Sequence, residues 1–356
     1  MSLPPSEITL DLRPDDRFDL IDVSRRVRDR HADFFSEYRK SAFCSFHTTA
    51  GYLEERLCAR LDHSGERLGR FVDLFRRLFP KDAGYWHDRM ELRDELSEDE
   101  KEREPVNADS HLAFMGAGLR NLTTWDARDD APVWFIDLDG VNGELQRTRR
   151  TTVLGYTNEE RVHRGIRTVP VPRTHPVDSF DLTDPGLGLF PYLRELLASE
   201  GVERGRVDIR LPPGERHAGL TVNEYETLLM RNDLPMAMRT PLRYMLRRGR
   251  ELLRHPGTIP GKARDYALYD LLHLYNEVMD VLGVGRGVAD RLLSRVSGAA
   301  YRLFRLKRRV SFLVSDSEET GPERIVRGTY QSPILIQHRA AEEGSRSLEI
   351  SVWRYE

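Results

Sequence analysis

Three features of the chain imply an α+β fold built from two like-ordered halves. Each half contains a helix-like segment and a strand-like one near its start, each closes on short β-rich segments, and a proline- and turn-rich stretch, Val169 to Gly186, lies between them. At 356 residues the chain exceeds the ~100–200 residues of one ordinary core, so two domains or one duplicated domain is the starting expectation. The expected boundaries are 1–168 for a first domain, 169–186 for a linker, and 187–356 for a second domain with a helical insertion.

In the first half, "EITLDL" alternates apolar and polar residues as a half-buried strand does, and "DVSRRVRDRHADFF" spaces Val23, Val27, His31 and Phe34 or Phe35 as a helix does. "SAFCSFH" reads as a second strand. After Gly65, the positions Leu68, Phe71, Phe75, Leu78 and Phe79 recur every three or four residues, giving an amphipathic helix that Pro80 stops. The charge run "RDELSEDEKERE", Arg93 to Glu104, reads as a solvated loop or exposed helix face. "NADSHLAFMGAG" reads as a capped helix ended by glycine, and "PVWFIDLDG" and "RTRRTTVLGY" as paired strands joined by the turn "GVNGE".

The second half begins with the helix "LFPYLRELLASEG", the strand "RVDIRL" and the turn "PPGE". A helical region then runs to about Leu306, in which "LYDLLHLYNEVMDVLG" and "VADRLLSRVSGAAYRLFRL" keep an apolar spacing near 3.6. Three strands close the chain, "RRVSFLVS", "RIVRGTYQSPILIQHR" and "RSLEISVWRYE", and Pro333 places the second at an edge or a bulge.

Composition narrows the function. Hydrophobic residues at 39%, charged residues at 32% and a net charge of −3 describe a globular chain with no one-signed face for gripping nucleic acid. The two cysteines, Cys44 and Cys58, fit no zinc-ribbon or redox spacing, and a reducing cytoplasm suits them best. No run approaches the ~20 apolar residues of a membrane span, and the first residues carry no signal-peptide pattern.

Three histidines stand at the boundaries of expected elements: His47 in "FHTTAG", His87 in "YWHD" and His111 in "NADSH". Imidazole is the usual acid or base near neutral pH and a common zinc ligand, and Asp88 and Asp109 lie close by in sequence. Spacing alone does not bring these residues together, and a structural role is the simpler reading for any one of them.

The ordered series "FHTTAG", "DLFRRLFPKDAGYWHD" and "NADSHL" resembles the motifs of the YjbQ family, described as secondary thiamine-phosphate synthase enzymes. That family carries His-Thr-Thr-Ala after a strand, a helix ending in Leu-x-Pro, then Tyr-x-His, then Ala-x-x-His-Leu. The match runs over roughly residues 7 to 156. The resemblance implies a compact α+β domain that assembles as a trimer, with His47, Thr48 and Thr49 in the first block, Tyr85, His87 and Asp88 in the second, and Asn107, Ala108, His111 and Leu112 in the third. It implies an enzyme that joins a pyrimidine diphosphate to a thiazole phosphate and releases pyrophosphate. In that reading His47, His87, His111 and Asp88 are catalytic, and the three histidines hold a divalent metal, zinc or magnesium. Thr48, Thr49, Tyr85, Asn107, Arg147 and Arg149 bind substrate, and Arg147, Arg149 and Arg150 are at hand for the pyrophosphate charge.

The chain departs from the family at "GYLEERL", which follows the His-Thr-Thr-Ala block, and the family's Ala-Leu-Thr-Ile-Asn-Glu returns in the second half as "AGLTVNE". Counting back from Asn223 and Glu224, the histidine position falls on Glu215. A duplication with a divergent second copy is therefore expected. That copy either stands in for a neighbouring subunit's interface in a homo-oligomer or lends Asn223 or Glu224 to a pocket with the three histidines. The alternative to an enzyme is a non-catalytic assembly or ligand-binding protein with a structural histidine or metal site.

Overall fold

The computed structural model describes residues 3–126, 131–172, 174–175, 177–239, 306–317, 324–341 and 343–356. The fold is mixed α+β with antiparallel sheets. The chain forms two compact units: a sheet unit of Met1–Gly65, Gly118–Tyr225 and Leu306–Glu356, and a second unit of Glu66–Ala117 and Glu226–Arg305 that is helical in its described residues and is called the helical unit below.

The sheet unit contains two sets of strands. The N-terminal set comprises β1 (Ser6–Leu12), β2 (Asp19–Asp22), β3 (Lys40–Ser45), β4 (Ala50–Gly51), β5 (Leu122–Asp126) and β6 (Trp134–Asp137), then, after a small hairpin β7 (Val141–Asn142) and β8 (Leu145–Gln146), β9 (Arg149–Tyr156). Its sheets run β1-β9-β3-β5 and β2-β6-β4. The C-terminal set comprises β10 (Glu159–Pro170), β11 (Asp178–Asp181), β12 (Gly205–Arg210), β13 (Ala218–Asn223), β14 (Arg309–Val314), β15 (Ile325–Val326), β16 (Ser332–Gln337) and β17 (Ser345–Tyr355). Its sheets run β10-β17-β12-β14-β15 and β11-β16-β13. Replacing β1, β9, β3 and β5 by β10, β17, β12 and β14, and β2, β6 and β4 by β11, β16 and β13, turns one pairing order into the other, with β15 as an added edge strand.

Helices fill matching places. α1 (Val23–Arg30), where the Asp22 side chain accepts the Arg25 N–H as a cap, and α2 (Phe34–Glu37) separate β2 from β3, α3 (Glu55–Arg60) follows β4, and α7 (Leu189–Ser199) separates β11 from β12. Val169, Val171, Leu182, Leu193, Ile209 and Ile350 form the core of the C-terminal set. A second cluster joins the two sets: Ala42, Cys44, Leu154 and Tyr156 pack with Leu313, Val326 and Tyr355, and the rings of Tyr156 and Tyr355 stack with centroids 3.8 Å apart.

Several expectations are corrected. β6 and β9 do not pair with each other; β6 lies between β2 and β4, β9 between β1 and β3, and "GVNGE" closes the hairpin β7–β8. The physical reason is that both strands are buried and each takes two other partners. β16 is a central strand, not an edge. Pro333 sits at its second residue, where its carbonyl accepts the Leu182 N–H at 2.9 Å one residue past the end of β11, so the N–H it lacks falls beyond that ladder. The turn-rich stretch 169–186 is part of the fold: it holds the end of β10, all of β11 and a turn in which Asp178 accepts from Thr174 and His175. Asp19 accepts the Asp15 N–H in the corresponding turn of the N-terminal set.

In the helical unit, α4 (Gly65–Leu78) buries Leu68, Phe71, Val72, Phe75 and Leu78, the expected stripe. α5 (Glu98–Arg103) takes the second half of the charge run and buries no residue, but Arg93 at the start of the run is buried and pairs with Glu95 and Glu104, against the expected solvated face. α6 (Ala108–Ala117) is buried nearly throughout, and Gly116 faces Phe75 and Phe79 so closely that a Cβ would lie 3.0 Å from each ring. The unit also holds α8 (Leu234–Arg239). The expected helices at 268–283 and 288–306 lie outside the described residues, apart from Leu306.

Candidate functional site

In the sheet unit, His47 follows β3 in a turn closed by Ser45, whose hydroxyl donates to the Ala50 carbonyl at 2.7 Å and accepts the His47 N–H at 3.2 Å. The C-terminal set holds the same turn from outside. Gln331 Nε2 donates to the carbonyls of Ser45 (2.9 Å) and His47 (2.8 Å), and Asn223 Nδ2 donates to the Thr48 carbonyl at 2.9 Å. The His47 ring accepts the main-chain N–H of Arg150 through Nε2 at 2.7 Å. Burial, followed by the nearby charges of Arg149, Arg147 and Arg150, pushes its pKa down to about 3. His47 is therefore neutral at physiological pH, with its proton on Nδ1.

Around it lie the arginines. Arg149 is buried, with Nε 2.6 Å and Nη2 2.8 Å from the two carboxylate oxygens of Asp137, and Nη2 also reaches the Asp139 carbonyl at 2.8 Å and Thr49 Oγ1 at 3.3 Å. Arg147 pairs with Asp139 at 2.8 Å, and Arg17 lies 3.7 Å from the other oxygen of that carboxylate. Asp137, Asp139 and Gln331 were not selected in the sequence. The signal for the carboxylates was available as "DLDG", two aspartates at strand spacing, followed by "RTR" with two arginines at the same spacing.

The C-terminal set repeats this arrangement with other side chains. Ala50 of β4 pairs with Asp137 and Ala218 of β13 pairs with Gln337, so the residues three positions earlier, His47 and Glu215, correspond. Glu215 Oε1 accepts the Ser347 N–H at 2.7 Å, as His47 Nε2 accepts that of Arg150. Arg346, the residue before Ser347, donates from Nε to Gln337 at 3.0 Å and from Nη2 to the Arg339 carbonyl at 2.8 Å, as Arg149 does to Asp137 and the Asp139 carbonyl. The register count made on the sequence alone also reached Glu215.

The helical unit holds the other predicted residues. His87 and His111 are buried, their ring centroids are 5.3 Å apart, and each offers a ring nitrogen within 4.8 Å of the other's. His87 Nδ1 lies 3.1 Å from Asp88 Oδ1, and the same oxygen accepts the Ala108 N–H at 3.0 Å at the start of α6. With Nδ1–H donating to Asp88, Nε2 is the lone-pair nitrogen, and Arg93 Nη1 stands 3.5 Å from it. Asp233 accepts the N–H groups of Trp86 (2.9 Å) and His87 (2.8 Å), and burial pushes its carboxyl up to about 6. Tyr85 is buried with its hydroxyl on the Pro80 carbonyl at 3.0 Å, and the Asn107 carbonyl accepts the Ser110 and His111 N–H groups in the first turn of α6. His87, Asp88 and His111 thus converge in this unit, while His47, Thr48, Thr49, Arg147 and Arg149 converge in the sheet unit.

These features define an α+β protein with two like-ordered sheet pairs, a histidine–arginine cluster and a buried histidine pair. Among solved structures it is similar to a YbjQ-like protein of unknown function from Sulfolobus solfataricus P2, at 14% identity over 55% of this chain and 99% of that one, with a TM-score of 0.31. It is similar to a hypothetical protein from Aeropyrum pernix K1, at 17% identity over 55% and 98% of the two chains (TM-score 0.28), and to an uncharacterized conserved YjbQ-family protein from Clostridium acetobutylicum, at 12% identity over 53% and 98% (TM-score 0.25). No family model and no curated protein matches the chain. No helix among the described residues is long and apolar enough to cross a membrane.

Proposed function

We propose that this chain is a duplicated YjbQ-like protein that binds a small phosphorylated or diphosphate ligand at the histidine–arginine cluster and acts on it. The finer reading is thiamine phosphate synthesis, joining a pyrimidine diphosphate to a thiazole phosphate with release of pyrophosphate. The observation that carries the proposal is the side-chain cluster: a neutral His47 fixed by Arg150, beside the guanidiniums of Arg147 and Arg149. Such a field stabilises oxyanion charge.

The duplication is supported by the two matching pairing orders and the correspondence of Arg149 with Arg346, and in this reading the boundary falls between Tyr156 and Glu159. In the helical unit His87 and His111 suit a divalent cation, since the His87 Nδ1–Asp88 contact is the carboxylate–histidine arrangement that orients a ligand nitrogen, and Arg93 must turn aside. A cation bound there would act as a Lewis acid. Assembly as a homo-oligomer belongs to the same proposal.

The test is pyrophosphate release from the two substrates by wild type and His47→Ala, with the fold checked by circular dichroism. Turnover in the wild type and its loss in the variant support the proposal; no turnover in the wild type, or full turnover in the variant, sinks it. Metal content of wild type against His87→Ala tests the cation.

A second reading has its own support. Glu215 fills the place of His47 with the same main-chain bond, which favours His47 as a structural acceptor in a non-catalytic binding protein. His47→Gln, which keeps an acceptor, would then behave as wild type in ligand binding and turnover.

A further inference from the structure

The correspondence between the two strand sets locates where a ligand oxygen sits. In the C-terminal set, Nη1 of Arg346 has two acceptors, Glu215 Oε2 at 2.8 Å and the Arg216 carbonyl at 3.0 Å. The N-terminal set lacks both. His47 replaces Glu215, and the Thr48 carbonyl, which corresponds to that of Arg216, accepts from Asn223. Arg149 spends Nε and Nη2 on Asp137, Asp139 and Thr49, and among the described residues no acceptor lies on its Nη1, although its side chain is only 4% exposed. The His47 ring is similarly committed on one side only: Nε2 takes the Arg150 N–H, so Nδ1 carries the proton and is a donor.

We propose that the N-terminal set holds an oxyanion subsite between His47 Nδ1 and Arg149 Nη1, at the place the Glu215 carboxylate fills in the C-terminal set. The ligand group is a phosphate, of a phosphate ester or diphosphate. The subsite deepens the phosphorylated-ligand reading and rests on it. Two donors, one neutral and one charged, face the space where Glu215 supplies an acceptor in the other set, and a guanidinium donor makes its strongest hydrogen bonds to a charged acceptor. Charge agrees: four guanidiniums, of Arg17, Arg147, Arg149 and Arg150, meet three carboxylates, of Asp11, Asp137 and Asp139, while His47 adds none. The C-terminal set is closed by its own side chain, so the chain binds one such group, not two. His47 is in this account a donor to the ligand and not a base.

The experiment is calorimetric titration of the full chain with inorganic phosphate and with pyrophosphate, in wild type, His47→Glu and Glu215→Ala. One equivalent in the wild type, none in His47→Glu and two in Glu215→Ala, with the melting temperature of Glu215→Ala rising more in phosphate than that of the wild type, is the expected result. One equivalent in the wild type that persists in His47→Glu overturns the subsite and leaves the phosphorylated-ligand reading standing. No binding to the wild type overturns both. Should His47→Glu fail to fold, Glu215→Ala decides, and a stoichiometry that stays at one overturns the subsite.

Discussion

His47 Nε2 accepts the main-chain N–H of Arg150 at 2.7 Å, and this bond makes the histidine an acceptor that must stay unprotonated for the turn to hold. Its pKa of about 3 in the fold lies below the ordinary histidine value, so the unfolded chain takes up the proton first. The stabilisation is complete above the ordinary pKa, near pH ~6.5, and is lost as pH falls from there toward 3. Denaturant midpoints of wild type and His47→Gln between pH 7 and pH 4 check this. The wild type should lose more stability over that range than the variant; parallel curves would rule out the buried neutral ring.

Arg149 and Arg346 each pair with one carboxylate, supplied from different places. Arg149 has Asp137 beside a neutral His47, and Arg346 has Glu215 beside a neutral Gln337. Asp137→Gln alone should cost ~3–5 kcal/mol, the usual penalty for stranding a buried charge. Adding His47→Glu moves the carboxylate to the position it has in the C-terminal set and should recover at least ~1 kcal/mol in a double-mutant cycle. Strict additivity of the two changes in urea unfolding would contradict the correspondence of the two sets.

Gly328 lies against the main chain of Phe46, where a Cβ would fall 1.8 Å from the carbonyl oxygen and 2.8 Å from its carbon. Backbone cannot yield as a side chain does, so Gly328→Ala should destabilise by more than ~3 kcal/mol. Gly344 is a control of another kind: its φ is +63° and nothing lies within 4 Å of an added Cβ, so Gly344→Ala should cost only ~1 kcal/mol of backbone strain. Equal thermal shifts in the two variants would refute the close approach at Phe46.

Asp233 accepts two buried N–H groups, from Trp86 and His87, and an asparagine there can accept from both only through its single oxygen. Asp233→Asn should cost ~1–3 kcal/mol at acid pH. Burial raises the carboxyl to about 6, so the folded chain holds this proton after the unfolded chain has released it. The contribution is therefore largest below the ordinary carboxylate pKa and declines as pH rises through about 6. The stability gap between wild type and Asp233→Asn should narrow from pH 4 to pH 7 in chemical denaturation; a gap that widens would contradict the assignment.

Much of this architecture was legible in the chain. The apolar stripe of α4, the glycine that ends α6 and the alternation of β1 are local patterns, and local patterns are what periodicity reports. Counting back from Asn223 reached Glu215, which stands three residues before Ala218 of β13 as His47 stands three before Ala50 of β4. Strand partnership was not legible: "PVWFIDLDG" and "RTRRTTVLGY" are adjacent in sequence and sit in different sheets, because both are buried strands that each need two neighbours. Pro333 misled for a related reason, since its tolerance depends on which end of the strand it occupies.

The sequence by itself determined the α+β class, the presence of two like-ordered halves and the residue types that carry charge and imidazole chemistry. Only the tertiary structure decided which of them meet. It put His47 with Arg149, Asp137 and Asp139, and His87 with His111, Asp88 and Asp233. It also set which nitrogen of His47 bears the proton, because that depends on the Arg150 N–H, 103 residues away in the chain. Side-chain identity is written locally, whereas hydrogen-bond partners and burial are set by strand pairing across the whole chain, and those partners fix charge and protonation.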